Sequence, residues 1–274
     1  MTGRRLPKRI SLVLSDVDGT LVTRDKYLSA RSIDAVRRLR AAGVRFSVAS
    51  SRPPFGLRAI LDPLAVGLPF AGFNGGLVVG PDGAAIAAHY VPRDIAAAAI
   101  AFFEDRGVQV WAFTATQWLC RDNEGAYVAH EQKTIAHAPT LVASFAPYLD
   151  ALGKIVAVSA DAQALAQCEQ AAQARFGEHA MVARSQSYYL DVTNKSANKA
   201  EALRAIAASC GVALAECVAI GDGGNDAIML ATAGYGIAMG NAVAEVKAAA
   251  DFVTTSNEQE GFSNAMAHVL EGFE

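Results

Sequence analysis

The chain has 274 residues, 52% of which are hydrophobic, and its formal net charge is −3. This length permits two domains with a large buried core, and the balanced charge gives no reason to expect a nucleic-acid partner. The apolar runs are too short to span a membrane, and the polar start lacks the apolar stretch of a secretory signal, so we expect a cytoplasmic protein with no membrane partner. The four cysteines have neither metal-binding nor disulfide spacing and are expected to be reduced and mostly buried: Cys120, Cys168, Cys210 and Cys217.

The first part of the chain is predicted to alternate strand and helix. The apolar run at 10–15 predicts a buried strand, and Ser29 can cap a helix that ends near Gly43. Residues 44–49 alternate in the manner of a second strand, and the Pro-Pro pair at 53–54 opens a short helix. This order is typical of an α/β fold.

Two carboxylates follow the first predicted strand, at Asp16 and Asp18. Open α/β sheets bind ligands at the carboxyl ends of their strands, and residues two apart return to the same side of an extended chain. We therefore expect both aspartates to face one pocket. Their repulsion would be relieved either by a divalent cation or by protonation of one of them. Taken alone, this Asp-X-Asp-Gly-Thr segment is also compatible with a turn that has an Asx cap.

A second acidic cluster follows the strand predicted at 216–220. Its loop, 221–226, contains Asp222 and Asp226, with the amide of Asn225 between them and glycines that permit a sharp turn. Neither cluster contains histidine, and oxygen ligands of this kind suit Mg²⁺ rather than zinc or copper. Taken alone, the loop is also compatible with a calcium-type loop or with the start of a helix.

Two further segments carry groups that can bind an anion. Ser50 and Arg52 follow the second predicted strand, where a hydroxyl and turn amides can meet phosphate oxygens. Lys199 lies at the start of an Ala-rich helical stretch, where a lone ammonium is unfavourable unless an anion offsets it. Asn74-Gly75 is first of all a turn signal and secondly a candidate substrate contact.

From about residue 85 the rhythm of the sequence changes. Strands and helices now follow in an order that suits a separate α+β layer, and the βα alternation resumes with Lys199. We therefore predict a core formed by residues 1–84 and 193–274 and an inserted cap formed by residues 85–192. The cap is predicted to contain helices at 95–106 and 161–176 and strands at 108–113, 117–120, 154–159 and 187–192.

These motifs, in their order and spacing, resemble those of the haloacid dehalogenase superfamily. The resemblance is narrower to its Cof-type phosphatases of subclass IIB, which carry a large cap of the C2 type. Residues 16–21 resemble the first motif of the family, Ser50 the second, Lys199 the third and residues 221–226 the fourth. The resemblance covers nearly the whole chain. It implies an α/β fold with a Rossmann-like three-layer core and an inserted α+β cap domain.

The resemblance also implies a Mg²⁺-dependent phosphatase that forms a covalent aspartyl-phosphate. Asp16 would be the nucleophile, and the Asp18 side chain would protonate the leaving alkoxide and then deprotonate the attacking water. Ser50 and Lys199 would hold the transferring oxygens. The metal ligands would be the Asp16 carboxylate, the Asp18 backbone carbonyl, Asp222 and waters, with Asp226 ligating directly or through a water.

The substrate implied by the resemblance is a small phosphorylated metabolite, such as a sugar phosphate, pyridoxal phosphate or flavin mononucleotide. Near the phosphate, the expected substrate contacts are Asn74, Gly75, Arg52 and Asn225. Recognition of the leaving group is expected from the cap, where the candidates are aromatic or polar: Trp111, Trp118, Arg121, Tyr127, Tyr188 and Tyr189.

Two other functions are compatible with the same motifs. A phosphomutase would share Asp16, Asp18, Lys199 and Asp222 but would pass the phosphoryl group to a second sugar hydroxyl rather than to water. A catalytically silent phosphate-binding regulator would not require Asp16 to react. For the phosphatase we expect no cofactor other than Mg²⁺, and the protein is expected to be a monomer or weak homodimer.

Overall fold

The computed structural model describes residues 3–272, which form two compact units. The first unit contains residues 3–51, 58–87 and 198–272, and the second contains residues 52–57 and 88–197. The sequence analysis assigned residues 52–57 to the core, whereas here they group with the second unit. Gly56 contributes to this grouping, since an added Cβ would meet the Cβ of Ile135 at 2.9 Å.

The first unit is built on a parallel sheet of five strands. We number strands and helices in chain order, and these strands are β1 (Leu12–Ser15), β2 (Arg45–Val48), β12 (Cys217–Gly221), β13 (Tyr235–Ala238) and β14 (Phe252–Val253). Their spatial order is β14-β13-β12-β1-β2, so the first strand of the chain lies inside the sheet. Both β1 and β12 are buried along their whole length, as expected for parallel strands covered on both faces.

Helices cover the two faces of this sheet. They are α1 (Ala30–Ala41), α2 (Arg58–Leu61), α6 (Lys199–Ser209), α7 (Ala227–Thr232), α8 (Ala244–Ala249) and α9 (Gly261–Glu271). On one face Leu12 packs in a cluster with Leu203 of α6, and on the other Phe46 contacts Phe262 of α9 with ring centroids 5.7 Å apart. The predicted cap at Ser29 is confirmed, since its side chain accepts a backbone N–H at the start of α1, and Asn198 caps α6 in the same way.

A small sheet of three strands completes the first unit. Its strands are β3 (Phe70–Gly72), β4 (Leu77–Val79) and β5 (Ala85–Ala88), in that spatial order. The turn predicted at Asn74-Gly75 is confirmed as a 3-10 turn, Phe73–Gly75, between β3 and β4. Asn74 has φ 57° and ψ 30°, a left-handed conformation that asparagine adopts more readily than most residues.

The second unit is a six-stranded sheet with helices. Its strands are β6 (Gln109–Phe113), β7 (Trp118–Cys120), β8 (Thr140–Leu141), β9 (Lys154–Val158), β10 (Ala180–Gln186) and β11 (Tyr189–Asn194). The spatial order is β10-β11-β9-β6-β7-β8, and all pairs are antiparallel except β7 with β8. The helices are α3 (Arg93–Glu104), α4 (Val128–Ile135) and α5 (Ala162–Phe176).

This architecture confirms the predicted fold class, an α/β core with a further α+β sheet. The sequence analysis did not identify α4, β8 or β10. The strand β10 lies at the edge of the sheet, five of its seven residues are exposed, and its second half is polar or charged, so its sequence does not resemble that of a buried strand. In the described residues, 3–272, no helix is both long and apolar enough to cross a bilayer.

Candidate active site

Three carboxylates meet at the carboxyl edge of the parallel sheet. β1 pairs in parallel with β12, with Ser15 opposite Ile220, so both strands end at the same edge. Asp16 follows β1 and donates its backbone N–H to the carbonyl of Ile220 at 2.9 Å. Asp222 follows β12, and one carboxylate oxygen each from Asp16, Asp222 and Asp226 lies within 4.8 Å of the other two.

The ammonium group of Lys199 lies among these carboxylates. Lys199 opens α6, and only 1% of its side chain is exposed. Its Nζ donates to Asp16 Oδ1 and to Asp226 Oδ1, each at 2.5 Å. Charge-assisted hydrogen bonds of this kind are stronger than neutral ones. A cation at a helix start is tolerated here because two anions face it.

Asp226 also fixes the loop that carries Asp222. Its Oδ2 accepts the backbone N–H of Asp222 at 3.0 Å and that of Gly223 at 2.8 Å. At Gly221 an added Cβ would meet the Asp226 side chain at 2.5 Å, so this close approach requires glycine. Both oxygens of Asp226 therefore have protein donors, Oδ1 from Lys199 and Oδ2 from two backbone amides.

The Asp222 carboxylate is oriented by side chains from two other segments. Thr20 Oγ1 donates to Asp222 Oδ1 at 2.9 Å, and Asn241 Nδ2 donates to Asp222 Oδ2 at 3.1 Å. Asn241 Nδ2 also donates to the carbonyl of Gly19 at 2.9 Å. Gly19 has φ +88°, and a Cβ there would overlap the Asp222 carboxylate. The sequence analysis gave no role to Thr20 or Asn241, although Thr20 belongs to the first motif that it singled out.

Asp18 has a cationic partner that the sequence analysis missed. The Nζ of Lys26 lies 2.7 Å from Asp18 Oδ1, and the two side chains are 39% and 27% exposed. Lys26 lies in a turn, where its φ is +64° and its N–H donates to the carbonyl of Thr23 at 2.9 Å. The ion pair could not be predicted from the sequence, because the two residues are eight positions apart and no helix or strand period brings them together.

Ser50, Asn74 and Asn225 are connected by hydrogen bonds. Ser50 is fully buried, and its carbonyl accepts the backbone N–H of Asn74 at 2.8 Å. Asn74 Oδ1 in turn accepts from Asn225 Nδ2 at 2.8 Å. This chain of bonds joins the segment after β2 to the loop 221–226.

The other two predicted substrate contacts, Gly75 and Arg52, have structural roles. Gly75 has φ +93°, and an added Cβ would overlap the carbonyl of Asn198, the residue that caps α6. Arg52 belongs to the second unit, where its Nη1 donates to the carbonyl of Thr134 at 2.8 Å. Gly75 therefore permits the close approach of the turn to the helix that carries Lys199.

With three carboxylates and one ammonium, the site carries excess negative charge. Burial raises the pKa of Asp16 well above its ordinary value, with Lys199 acting in the opposite direction and Asp226 adding to the rise. Burial also raises the pKa of Asp222. Although burial alone would lower it, attraction to Asp16 and Asp226 raises the pKa of Lys199. One carboxylate oxygen from each of the three aspartates could together hold a divalent cation, which would offset this charge.

Comparison with known proteins identifies the family. A family model described as haloacid dehalogenase-like hydrolase matches residues 13–266, nearly the whole chain. The chain belongs to the haloacid dehalogenase-like hydrolases. It is 31% identical over 255 residues to a Haemophilus influenzae protein that carries a provisional phosphatase name, and this match covers 92% of the chain and 95% of the relative.

Solved structures of this hydrolase family have the same fold. A haloacid dehalogenase-like hydrolase from Bacteroides thetaiotaomicron is 26% identical, with a TM-score of 0.88 and coverage of 95% of this chain and 100% of that one. The subclass IIB sugar phosphatase BT4131 is 26% identical, with a TM-score of 0.81 and coverage of 94% and 98%. The resemblance to Cof-type members of the superfamily is thereby confirmed, and the protein is an enzyme, a phosphatase-type hydrolase.

In this haloacid dehalogenase-like hydrolase, the second unit contains the predicted leaving-group contacts. Trp111 and Trp118 are both 0% exposed. Tyr127 and Tyr188 stack with ring centroids 4.2 Å apart. The remaining two candidates also have protein partners: Arg121 Nε donates to Glu104 at 2.5 Å, and the Tyr189 ring contacts those of Trp111, Tyr127 and Tyr188.

Proposed function

We propose that the protein is a Mg²⁺-dependent phosphatase that hydrolyses small-molecule phosphate monoesters through an aspartyl-phosphate on Asp16. The observation that carries this proposal is the setting of Asp16, whose carboxylate accepts from Lys199 and lies in one group with Asp222 and Asp226. A carboxylate in this setting can attack phosphorus once its negative charge is offset. The sugar phosphatase among the structural relatives supports the same activity.

Mg²⁺ fits the donors of this site. Asp16 and Asp222 would supply carboxylate oxygens, Asp18 its backbone carbonyl, and Asp226 would ligate directly or through a water. The two side chains that orient Asp222 are the kind of support that metal ligands commonly receive. When bound, Mg²⁺ supplies the positive charge that offsets repulsion between these carboxylates and a phosphoryl group.

The reaction has two displacement steps at phosphorus. In the first, an Asp16 oxygen forms a bond to phosphorus while the ester P–O bond breaks, and Asp18 gives its proton to the leaving oxygen. In the second, Asp18 takes a proton from water, the water oxygen bonds to phosphorus, and the bond to Asp16 breaks to release inorganic phosphate. Ser50 and Lys199 would hold the transferring oxygens in both steps.

The proposed substrates are sugar phosphates or cofactor phosphates such as pyridoxal phosphate and flavin mononucleotide. Asn74 and Asn225 are proposed contacts, since each side-chain amide has more hydrogen-bonding groups than their mutual bond uses. Arg52 and Gly75 are also proposed to contact the substrate near its phosphate group.

The test is release of inorganic phosphate from a panel of sugar, nucleotide and cofactor phosphates, with and without Mg²⁺. We compare wild type with Asp16→Asn and with Asp62→Asn, a control at an exposed aspartate of the first unit. Release by wild type and the control, abolished by chelation of Mg²⁺ and by Asp16→Asn, is the expected result.

Two outcomes contradict the proposal. Undiminished release by Asp16→Asn would rule out the aspartyl-phosphate on this residue. No release from any compound, together with isomerisation of glucose or mannose phosphates, would identify a phosphomutase instead.

A further inference from the structure

A turn shortly after the first motif, residues 23–27, places Lys26 beside Asp18. Hydrogen bonds close this turn: Thr23 donates its N–H to the carbonyl of Tyr27 at 3.0 Å, and its own carbonyl accepts the N–H of Lys26 at 2.9 Å. Thr23 Oγ1 also accepts the N–H of Tyr27 at 3.1 Å. From this turn Lys26 Nζ donates to Asp18 Oδ1 at 2.7 Å. The backbone that carries the ammonium group is therefore fixed by hydrogen bonds at both ends of the turn.

Two residues near the end of the chain anchor the turn in the first unit. Glu258 accepts the backbone N–H of Arg24 at 2.7 Å, and Asn257 Nδ2 donates to the carbonyl of Val22 at 3.1 Å. Asn257 is itself held by Asn241, whose Oδ1 accepts its backbone N–H at 3.0 Å. Supporting hydrogen bonds of this kind hold functional side chains in a precise position. The turn is thus tied to Asn241, the residue that also orients a carboxylate of the candidate site.

The Asp18 side chain differs from the other carboxylates of the site in its surroundings. It is 27% exposed, against 6% for Asp16 and 1% for Asp226. The carboxylates that lie close enough to hold a metal ion together are those of Asp16, Asp222 and Asp226, and Asp18 is not in this group. The ammonium of Lys26 offsets the charge of Asp18, so Asp18 adds little to the repulsion of an anionic substrate.

The ion pair between Lys26 and Asp18 contributes little to the stability of the fold. Lys26 is 39% exposed, and water screens exposed pairs, so their effect on the free energy of unfolding is small. Placement of the Asp18 carboxylate is therefore the effect to expect from an anchored turn that presents this lysine.

We propose that Lys26 is a positioning residue that orients Asp18 for proton transfer. Its bond to Oδ1 is compatible with both forms of Asp18, because a carboxyl group protonated on Oδ2 still accepts on Oδ1. Oδ2 is then the oxygen that gives its proton to the leaving alkoxide as the ester P–O bond breaks. The same oxygen takes a proton from the water that releases phosphate from Asp16. This inference rests on the proposed function, in which Asp18 is the general acid and base.

The test compares two classes of phosphate ester that differ in their need for a proton. An alkoxide is a poor leaving group and requires protonation as the P–O bond breaks, whereas p-nitrophenolate leaves without it. The full-length enzyme is assayed with saturating Mg²⁺ on the sugar phosphates of the panel, which are alkyl esters, and on p-nitrophenyl phosphate. The measured parameter is kcat/KM, which covers the steps up to departure of the alcohol or phenol.

Lys26→Met is expected to lower kcat/KM about tenfold for the alkyl phosphates and by less than about twofold for p-nitrophenyl phosphate. Lys26→Arg keeps a cationic donor and is expected to restore the ratio between the two classes of ester. Arg24→Met is the matched control, because it removes a positive charge from an exposed side chain of the same turn and should leave both values unchanged. In an Asp18→Asn background, Lys26→Met should have no further effect, since Lys26 acts through Asp18.

The melting temperature of each Lys26 variant is expected to stay within about 3 °C of wild type, because the pair is exposed. An equal loss for both classes of ester, no loss for Lys26→Met, or a further loss in the Asp18→Asn background overturns the inference. These results differ from failure of the proposed function, which appears without any change at Lys26. In that case wild type releases no phosphate from any ester, or Asp16→Asn releases it undiminished, and the inference is overturned as well.

Discussion

Lys199 compensates two buried carboxylates at once, through its bonds to Asp16 and Asp226. Removal of one partner from a buried ion pair leaves an uncompensated charge, which is far more costly than loss of an exposed pair. This residue was identified from its place at a helix start, but its partners could not be, since Asp16 and Asp226 lie far from it in the sequence.

We predict that Lys199→Met lowers the free energy of unfolding by about 3–5 kcal/mol, the range measured when one member of a buried pair is removed. Urea denaturation followed by circular dichroism measures the change. Lys8→Met, at an exposed lysine of the first unit, is the control and is expected to stay within about 0.5 kcal/mol of wild type. If Lys199→Met lowered the free energy of unfolding by less than about 1 kcal/mol, Lys199 would not be neutralising the charge of Asp16 and Asp226 as described.

The raised pKa of Asp16 gives a second prediction at this scale. A carboxyl group whose pKa is raised on folding adds stability below its unfolded pKa, and this stability is lost as the pH rises through the folded value. At pH 8, without metal, Asp16→Asn is therefore expected to be more stable than wild type, by about 1.4 kcal/mol for each unit of the pKa difference.

Thermal melts from pH 4 to pH 8 in a chelator measure this difference. The stabilisation by Asp16→Asn should grow as the pH rises, and added Mg²⁺ should then stabilise wild type more than the variant. A variant less stable than wild type at pH 8 would contradict the prediction.

Among the elements, adjacent strands assemble the candidate site. The apolar runs before Asp16 and Asp222 were enough to predict two buried strands, and the parallel pairing of β1 with β12 brings their ends together. The hydrogen bonds from Thr20 and Asn241 to Asp222 could not be predicted from the sequence. They join loops that are far apart in the chain, and no periodic pattern relates such residues. The helix α4 was missed for another reason. It has only eight residues, and few of them are apolar, so its periodic pattern is weak.

Gly19, in the loop after β1, lies so close to the Asp222 carboxylate that a larger residue there should disturb the site. Gly19→Ala is expected to lower kcat/KM roughly 100-fold, since its Cβ would displace the Asp222 carboxylate and small misplacements of this kind cost about that factor. Gly43→Ala is the matched control, because Gly43 has φ +81° but nothing within 4 Å of an added Cβ.

Both variants place alanine at a positive φ, so the loss of stability from backbone strain is common to both, and only Gly19→Ala adds the clash with Asp222. Steady-state kinetics and Mg²⁺ titration of the two variants then separate the effect of backbone strain from the effect of displacing Asp222. Equal kcat/KM values for the two variants would show that the close approach at Gly19 does not matter.

For the whole molecule, the sequence predicted reduced and mostly buried cysteines, and this is confirmed. Cys120, Cys168 and Cys217 are buried, Cys210 is partly exposed, and all four are free thiols. Burial raises the pKa of Cys120 and Cys217 to about 11. The domain limits at residues 84/85 and 192/193 and the expected monomer or weak homodimer stay predictions.

We predict that a chromogenic disulfide reagent at pH 8 reacts rapidly with one thiol of the native enzyme, Cys210, and with all four after unfolding. Absorbance after rapid mixing measures both numbers. Cys210→Ser should abolish the rapid phase. Rapid reaction of two or more thiols in the native protein would contradict the burial described for the other three.

The strand order β14-β13-β12-β1-β2 has a consequence for how the enzyme is made. A ribosome completes β1 early, but its neighbour β12 emerges only after the entire second unit has been translated. Asp16 is translated early, whereas its neighbours in the site, Lys199 and Asp222, are translated late. Nascent or truncated chains that end before β12 therefore lack the candidate site, which is complete only when the last part of the chain has folded onto the first strand.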